Sequence, residues 1–111
     1  MQYYWFKLFE KESNADNYLL PNTFLNFEFK GEKICVVKTT KGLFAFSNKC
    51  PHNGASLNKG FCTKQNEIVC PLHGYAFNLE TGKTSANKNL ILKTYPIKIE
   101  ESGVYVGIIS E

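Results

Sequence analysis

The sequence predicts an all-β fold, either an antiparallel sandwich or a small barrel, and three observations lead to that prediction. Aromatic residues make up 14% of the 111 residues, a proportion that suits sheet packing better than helix packing. Apolar and polar residues alternate with a period of two in several short runs. Turn residues separate these runs about every eight to twelve positions, which is typical of sandwiches and barrels. A chain of this length is expected to form one domain, residues 1–111.

The predicted strands follow one another closely along the chain. The first half provides four, at Tyr3–Phe9, Phe24–Phe29, Lys33–Thr39 and Leu43–Phe46. The second half provides four more, at Glu67–Val69, Tyr75–Phe77, Tyr95–Glu100 and Val104–Ile109. Turns that contain glycine join several consecutive strands into hairpins. The one candidate helix is short and polar, and it covers Glu10–Asn17.

Composition and charge exclude several function classes. All thirteen basic residues are lysines, and the net charge is only +3. Nucleic-acid sites depend on arginine for paired contacts to bases and phosphates, so no nucleic-acid partner is expected. No run reaches the roughly 18 apolar residues of a membrane-spanning helix, and the N-terminus lacks the basic and apolar regions of a signal peptide. The sequence therefore predicts a cytoplasmic protein with no membrane partner.

Both histidines of the chain and two of its four cysteines lie in two short runs that resemble each other. The first run, Cys-Pro-His-Asn-Gly, begins at Cys50 and contains His52. The second run, Cys-Pro-Leu-His-Gly, begins at Cys70 and contains His73. Each run directly follows a predicted strand, so both are expected to be loops displayed by a rigid sheet. Thiol and imidazole side chains at this spacing indicate a metal site rather than disulfides.

The Cys-x-His and Cys-x-x-His pattern resembles the ligand set of Rieske [2Fe–2S] centres, in which each loop supplies one cysteine and one histidine. The resemblance implies a Rieske-type sandwich with one [2Fe–2S] cluster per chain. The cluster would be held by a subdomain of two loops, at about residues 48–58 and 69–77. Two thiolates would bind one iron and two imidazoles the other. The four ligands would be Cys50, His52, Cys70 and His73.

Departures from the respiratory Rieske proteins indicate which branch of the family the chain resembles. Those proteins carry a serine after the second-loop glycine and a tyrosine two positions later, whose hydroxyls donate to sulfur. The corresponding residues here are Tyr75 and Phe77, and the family's inter-loop disulfide is replaced by Ala55 and Leu72. The chain is therefore similar to the low-potential Rieske ferredoxins of aromatic-ring dioxygenase systems. The proline-rich loop that shields the cluster in the family has no counterpart, because residues 84–90 contain no proline.

The resemblance implies electron transfer rather than catalysis. The chain would be a monomer that passes single electrons from a ferredoxin reductase to a terminal oxygenase or similar redox partner. An oxygenase is not expected, since its second iron needs two more histidines and both are already used. The alternative is a small Rieske-like subunit of a larger reductase, such as assimilatory nitrite reductase. A structural zinc ion on the same residues is a further alternative, although zinc sites usually pair cysteine with cysteine.

The remaining cysteines and the partner surface complete the predictions. Cys35 and Cys62 are expected to be structural thiols rather than ligands. The imidazoles of His52 and His73 are expected at the loop tips, with an exposed edge next to Asn53, Leu57 and Lys59. Lys59 and Lys64 are expected to pair with acidic residues on a docked partner.

Overall fold

The computed structural model describes residues 2–10, 23–52, 54–72 and 74–110. These residues form ten strands and one 3-10 turn, so the predicted all-β class is confirmed. In chain order the strands are β1 (Gln2–Glu10), β2 (Phe24–Phe29), β3 (Glu32–Thr39), β4 (Gly42–Ser47), β5 (Phe61–Cys62), β6 (Glu67–Val69), β7 (Ala76–Asn78), β8 (Thr94–Tyr95), β9 (Ile97–Glu100) and β10 (Gly103–Ser110); the 3-10 turn is Leu57–Lys59. Within the described ranges, no helix is both long and apolar enough to cross a membrane.

The strands form three antiparallel sheets. Their hydrogen-bonded orders are β1-β10-β9, β2-β3-β4-β8 and β5-β6-β7. The first two sheets contain the longer strands, and we call them the basal sheets. The third, smaller sheet is connected to both predicted ligand loops, because β5 follows the first loop along the chain while β6 and β7 flank the second.

Strand β3 separates two hydrophobic cores. Its side chains alternate between faces, as a pleated strand requires, so Ile34 and Val36 enter one core while Cys35 and Val37 enter the other. All four side chains are fully buried. We call the second the loop-side core. Its buried members are Cys35, Val37, Phe46, Cys50, Leu57, Ile68, Cys70, Phe77, Leu79 and Leu92.

Aromatic stacking joins the two basal sheets and accounts for part of the high aromatic content. The rings of Phe6 and Phe27 stack with centroids 5.3 Å apart, and those of Tyr4 and Phe29 stack at 5.1 Å. Each pair joins β1 to β2, which belong to different sheets. Offset stacking of this kind stabilises a core beyond the area that it buries.

The structure differs from several predicted elements. The predicted strand Tyr95–Glu100 is divided into β8 and β9, because Pro96 has no N–H to donate to a ladder. Strand β5 has only two residues and was not predicted, while β7 begins one residue later than predicted. Of the predicted helix Glu10–Asn17, Glu10 is the last residue of β1 and the remaining positions lie outside the described residues.

Candidate metal centre

The first predicted ligand loop, residues 48–58, is closed at its base by an asparagine pair. The main-chain N–H of Asn58 donates to Oδ1 of Asn48 (2.7 Å), and Nδ2 of Asn48 donates to Oδ1 of Asn58 (3.2 Å). The N–H of Asn48 also donates to the carbonyl of Lys33 on the neighbouring strand (2.9 Å). These bonds anchor both ends of the loop to the sheet that precedes it.

Both ligand loops contain the same main-chain hydrogen bond. The N–H of Cys50 donates to the carbonyl of Ala55 (2.9 Å), and the N–H of Cys70 donates to the carbonyl of Tyr75 (2.8 Å). Each cysteine therefore bonds the residue five positions later, and the glycine just before that residue has a positive φ, 79° in the first loop and 68° in the second. Glycine adopts this conformation without strain, which allows both loops to turn back on themselves.

The two cysteines at the roots of these loops are buried in one core. Cys50 and Cys70 are each 1% exposed, and both belong to the loop-side core. Neither forms a disulfide. The structure therefore places two thiols that form no disulfide on matched loops, against the same set of apolar side chains.

The imidazole of His52 lies at the exposed tip of the first loop. Its ring stacks on the ring of Tyr75 in the second loop, with centroids 4.3 Å apart and planes inclined by 21°. This contact links the tip of the first loop to the residue that closes the second loop. His73, the fourth predicted ligand, lies outside the described residues, as does Asn53. The structure thus brings Cys50, His52 and Cys70 to one end of the molecule.

A glycine that the sequence analysis did not single out keeps the loop roots together. Gly60 follows the 3-10 turn that ends the first loop, and it lies against the residue that precedes Cys70. A Cβ atom added to Gly60 would be 1.8 Å from the carbonyl oxygen of Val69, a distance that no side chain can occupy. Only glycine permits this approach of the two backbones.

The structure separates the residues predicted for the partner surface. Leu57 is fully buried because it packs into the loop-side core, so its side chain is not available to a partner. Lys64 lies in the turn between β5 and β6, at the opposite end of β6 from Cys70. That turn contacts the distal end of β3, where Oγ1 of Thr39 donates to Oδ1 of Asn66 (2.8 Å). Lys59 is exposed and directly follows the first loop.

The segment 84–90 covers one side of the loop-side core without proline. Thr84 pairs with Phe77 in an isolated antiparallel bridge, and the half-buried Leu90 packs against the core. Asn87 shapes the intervening turn, since its carbonyl accepts a hydrogen bond from the N–H of Leu90 (3.0 Å). In this segment, an asparagine turn and one leucine, which packs against the core, therefore lie at the position of the family's proline-rich loop.

The other two cysteines lie on strands. Cys35 on β3 is fully buried, and burial raises the pKa of its thiol to about 12, with a smaller contribution from the nearby Cys62. Burial likewise raises the pKa of the Cys62 thiol to about 11. Both thiols therefore stay protonated at neutral pH. Their positions on strands, rather than in the two loops, favour the predicted structural role.

Comparison with known families now adds to this geometry. A family model described as the Rieske [2Fe-2S] domain matches residues 9–96, a range that includes both loops. The chain belongs to the Rieske [2Fe–2S] domain family. A Rieske domain binds a [2Fe–2S] cluster.

Relatives of the chain include ferredoxin components of oxygenase systems. The ferredoxin component of the naphthalene 1,2-dioxygenase system of Pseudomonas putida is 31% identical over 98 residues, which are 87% of this chain and 93% of that protein. The ferredoxin component of the alkene monooxygenase system of Xanthobacter autotrophicus is 28% identical over 81 residues. The matched region spans 73% of this chain but only 66% of that relative.

Solved structures agree with the fold. A chain in the complex of reduced oxygenase and oxidized ferredoxin in carbazole 1,9a-dioxygenase has a TM-score of 0.75 at 28% identity, covering 92% of this chain and 91% of that chain. A putative NADH-dependent nitrite reductase small subunit from Mycobacterium tuberculosis has a TM-score of 0.80 at 17% identity, covering 98% of each chain. At that identity the second match establishes the fold alone.

The donor set of this Rieske chain fits a binuclear cluster. Such a cluster takes two protein ligands per iron, and the soft thiolates on one iron are chemically distinct from the imidazoles on the other. The described loops offer two buried thiols at their roots and one imidazole at an exposed tip. Among the described residues, no three His, Cys, Asp or Glu side chains form a group that could hold one metal ion.

Proposed function

We propose that this chain is a one-electron carrier, not an enzyme, in which Cys50 and Cys70 bind one iron of the cluster and His52 and His73 bind the other. The observation that carries the proposal is the pairing of the two loops. Their thiols are buried in one core, whereas the imidazole of His52 is exposed. This polarity shields the sulfur side of the site and leaves an imidazole edge available to a docked partner.

The mixed ligand set also explains why such a site takes up an electron readily. Replacing two thiolates by neutral imidazoles removes two negative charges from the surroundings of the iron. Reduction potentials in this class accordingly lie at about −150 to +300 mV, against about −400 mV for clusters with four thiolates of the plant ferredoxin type. Bound in these loops, the cluster would accept and donate the electron. The chain would shield the cluster from solvent and provide the surface through which the electron leaves.

The carrier function can be tested by stoichiometry. The purified protein, titrated anaerobically with dithionite, should take up one electron per chain and return it to ferricyanide in one step. A His52→Ala variant should lose this capacity because it lacks an iron ligand. A wild-type protein that takes up no electron, or that takes up two, would overturn the proposal.

Partners are proposed from the relatives whose names describe ferredoxin components and an oxygenase–ferredoxin complex. We propose a ferredoxin reductase as donor and a terminal oxygenase as acceptor, with transient and salt-sensitive docking. The docking surface combines the exposed His52, the exposed Lys59 and Leu72, which is 52% exposed. An apolar contact beside a lysine suits an acceptor with an acidic rim.

This surface can be tested with small acceptors of opposite charge. Lys59→Glu should slow the oxidation of the reduced protein by anionic ferricyanide at low salt and accelerate its oxidation by cationic hexaammineruthenium(III), and both effects should disappear at high salt. The matched control is Lys41→Glu, in the turn at the far end of β4 from the first loop. Equal rates for the two variants at low salt would show that electrons do not leave beside Lys59.

One alternative is favoured by a specific observation. The fold agrees as closely with a nitrite reductase small subunit as with a ferredoxin, so a subunit role in an assimilatory reductase is the second candidate. Stable copurification with a large sirohaem-bearing chain from native extract would select it. Under the first proposal, the protein is instead a cytoplasmic monomer with a single domain, residues 1–111. It should then elute as a monomer in size-exclusion chromatography.

A further inference from the structure

Tyr75 contacts both predicted ligand loops at once. Its carbonyl accepts the hydrogen bond from the N–H of Cys70 (2.8 Å), while its ring stacks on the imidazole of His52 at 4.3 Å. The half-buried side chain also packs against the loop-side core, which contains Cys50 and Cys70. Tyr75 therefore joins a predicted ligand of one loop to a predicted ligand of the other.

The geometry of the stack leaves metal binding possible. The planes are inclined by only 21°, so Tyr75 covers a face of the imidazole rather than its edge. Both ring nitrogens lie in the edge, and a metal–nitrogen bond forms in the plane of the ring. The stacking contact therefore restricts rotation of the imidazole without competing for the position of the metal.

An exposed histidine needs such a restraint. The side chain of His52 lies at a loop tip and has two rotatable torsions, which a loop backbone alone does not fix. Metal-bound histidines are commonly oriented by neighbouring groups, and loss of such a group weakens metal binding. For His52, one such neighbour is the face of the Tyr75 ring.

We propose that Tyr75 is a positioning residue whose ring holds the His52 imidazole in the plane from which it binds iron. The inference rests on the proposed function. It assigns the effect to the aromatic ring and not to the hydroxyl, so phenylalanine should replace tyrosine at this position and an aliphatic side chain of similar bulk should not.

The test compares Tyr75→Phe, Tyr75→Leu and a control, Tyr4→Leu, which removes a stacked ring from the basal sheets. Tyr4 stacks on Phe29 at 5.1 Å and 20°, so the control loses a similar ring contact that involves no predicted ligand. Each purified holoprotein is examined for the g values and line widths of its reduced EPR signal, and for the rate at which a chelator removes iron.

We expect Tyr75→Phe and Tyr4→Leu to keep the wild-type EPR signal and iron-release rate. Tyr75→Leu should broaden and shift the signal, because the imidazole plane varies, and should release iron about tenfold faster. Wild-type behaviour of Tyr75→Leu would overturn the inference, as would equal damage by Tyr75→Phe and Tyr75→Leu, which would assign the role to the hydroxyl. Wild-type protein without iron and sulfide would instead overturn the proposed function first, and the inference with it.

Discussion

Two pairs of cysteines pack in or against the loop-side core, but one pair lies on strands and the other pair begins loops. Cys35 and Cys62 lie on strands β3 and β5, where main-chain groups are used by the sheet ladders. Cys50 and Cys70 begin loops, and their N–H groups hold those loops closed by bonding five residues ahead. Exposure does not separate the pairs, since Cys35 is 0% exposed while Cys50 and Cys70 are each 1% exposed.

The difference shows that burial alone does not identify a metal ligand. A strand presents one cysteine at a time to a packed interior, and burial then keeps the thiol neutral. A loop with proline after the cysteine and a positive-φ glycine four residues on presents the thiol together with an imidazole nearby in sequence. The local backbone, more than the depth of burial, therefore distinguishes the two proposed ligands from the two cysteines proposed to be structural.

The largest expected effect is loss of the cluster, and it tests directly whether the loop cysteines and the strand cysteines differ in role. Cys50→Ala should abolish the cluster, because each iron has only two protein ligands and no other thiol belongs to the loops. Cys62→Ala should keep the cluster and lower stability by about 1 kcal/mol through lost packing. Visible absorption and iron content check both variants. Loss of the cluster in a well-folded Cys62→Ala protein would assign that strand cysteine as a ligand.

A smaller effect concerns hydrogen bonds to the loop sulfurs. The wild-type potential is expected near the lower end of the Rieske range, about −150 mV, because Phe77 has no hydroxyl and is fully buried beneath the loops. Phe77→Tyr should raise the potential by adding a donor that favours the more negative, reduced cluster. Phe44→Tyr adds a hydroxyl to a half-buried ring that packs against the same core, and it should leave the potential unchanged. Protein-film voltammetry measures the potentials of the wild type and both variants. A wild-type potential above about +100 mV contradicts this account.

The smallest expected effect is a change in the free energy of unfolding at alkaline pH. The raised pKa of Cys35, about 12 in the folded protein, means that the unfolded chain releases this proton first as the pH rises above about 9. The stability contributed by the protonated thiol is therefore complete below about pH 9 and is lost between about pH 9 and about 12. Cys35→Ala should have a lower free energy of unfolding than wild type at pH 7.5, and the difference between the two proteins should be smaller by roughly 1.4 kcal/mol at pH 10. Urea unfolding at the two pH values measures this difference. A difference that does not change with pH would mean that burial does not perturb the pKa of this thiol.

Much of the fold was readable from local pattern. The alternation at Phe24–Phe29 and the turn that follows it predicted β2 with its observed bounds. The two-residue β5 was missed because two positions show no periodicity, and the division between β8 and β9 depends on one proline within an otherwise strand-like run. Short elements are defined by their partners in the sheet rather than by their own sequence.

The loop positions of three proposed ligands were predictable, but the contacts that support them were not. Spacing alone placed Cys50, His52 and Cys70 in loops after strands, as observed. The Asn48–Asn58 pair, the contact of Gly60 with Val69 and the stack of Tyr75 on His52 were not predicted. Each joins residues whose proximity is created by folding, and no period or motif in the chain signals it.

The most direct test of the central claim is metal and sulfide analysis of the purified wild-type protein, combined with the EPR spectrum of its reduced form. A mixed thiolate–imidazole cluster on the two loops predicts about two irons and two acid-labile sulfides per chain, with a rhombic signal after one-electron reduction. A colourless protein with one zinc ion per chain, no sulfide and no signal would contradict it.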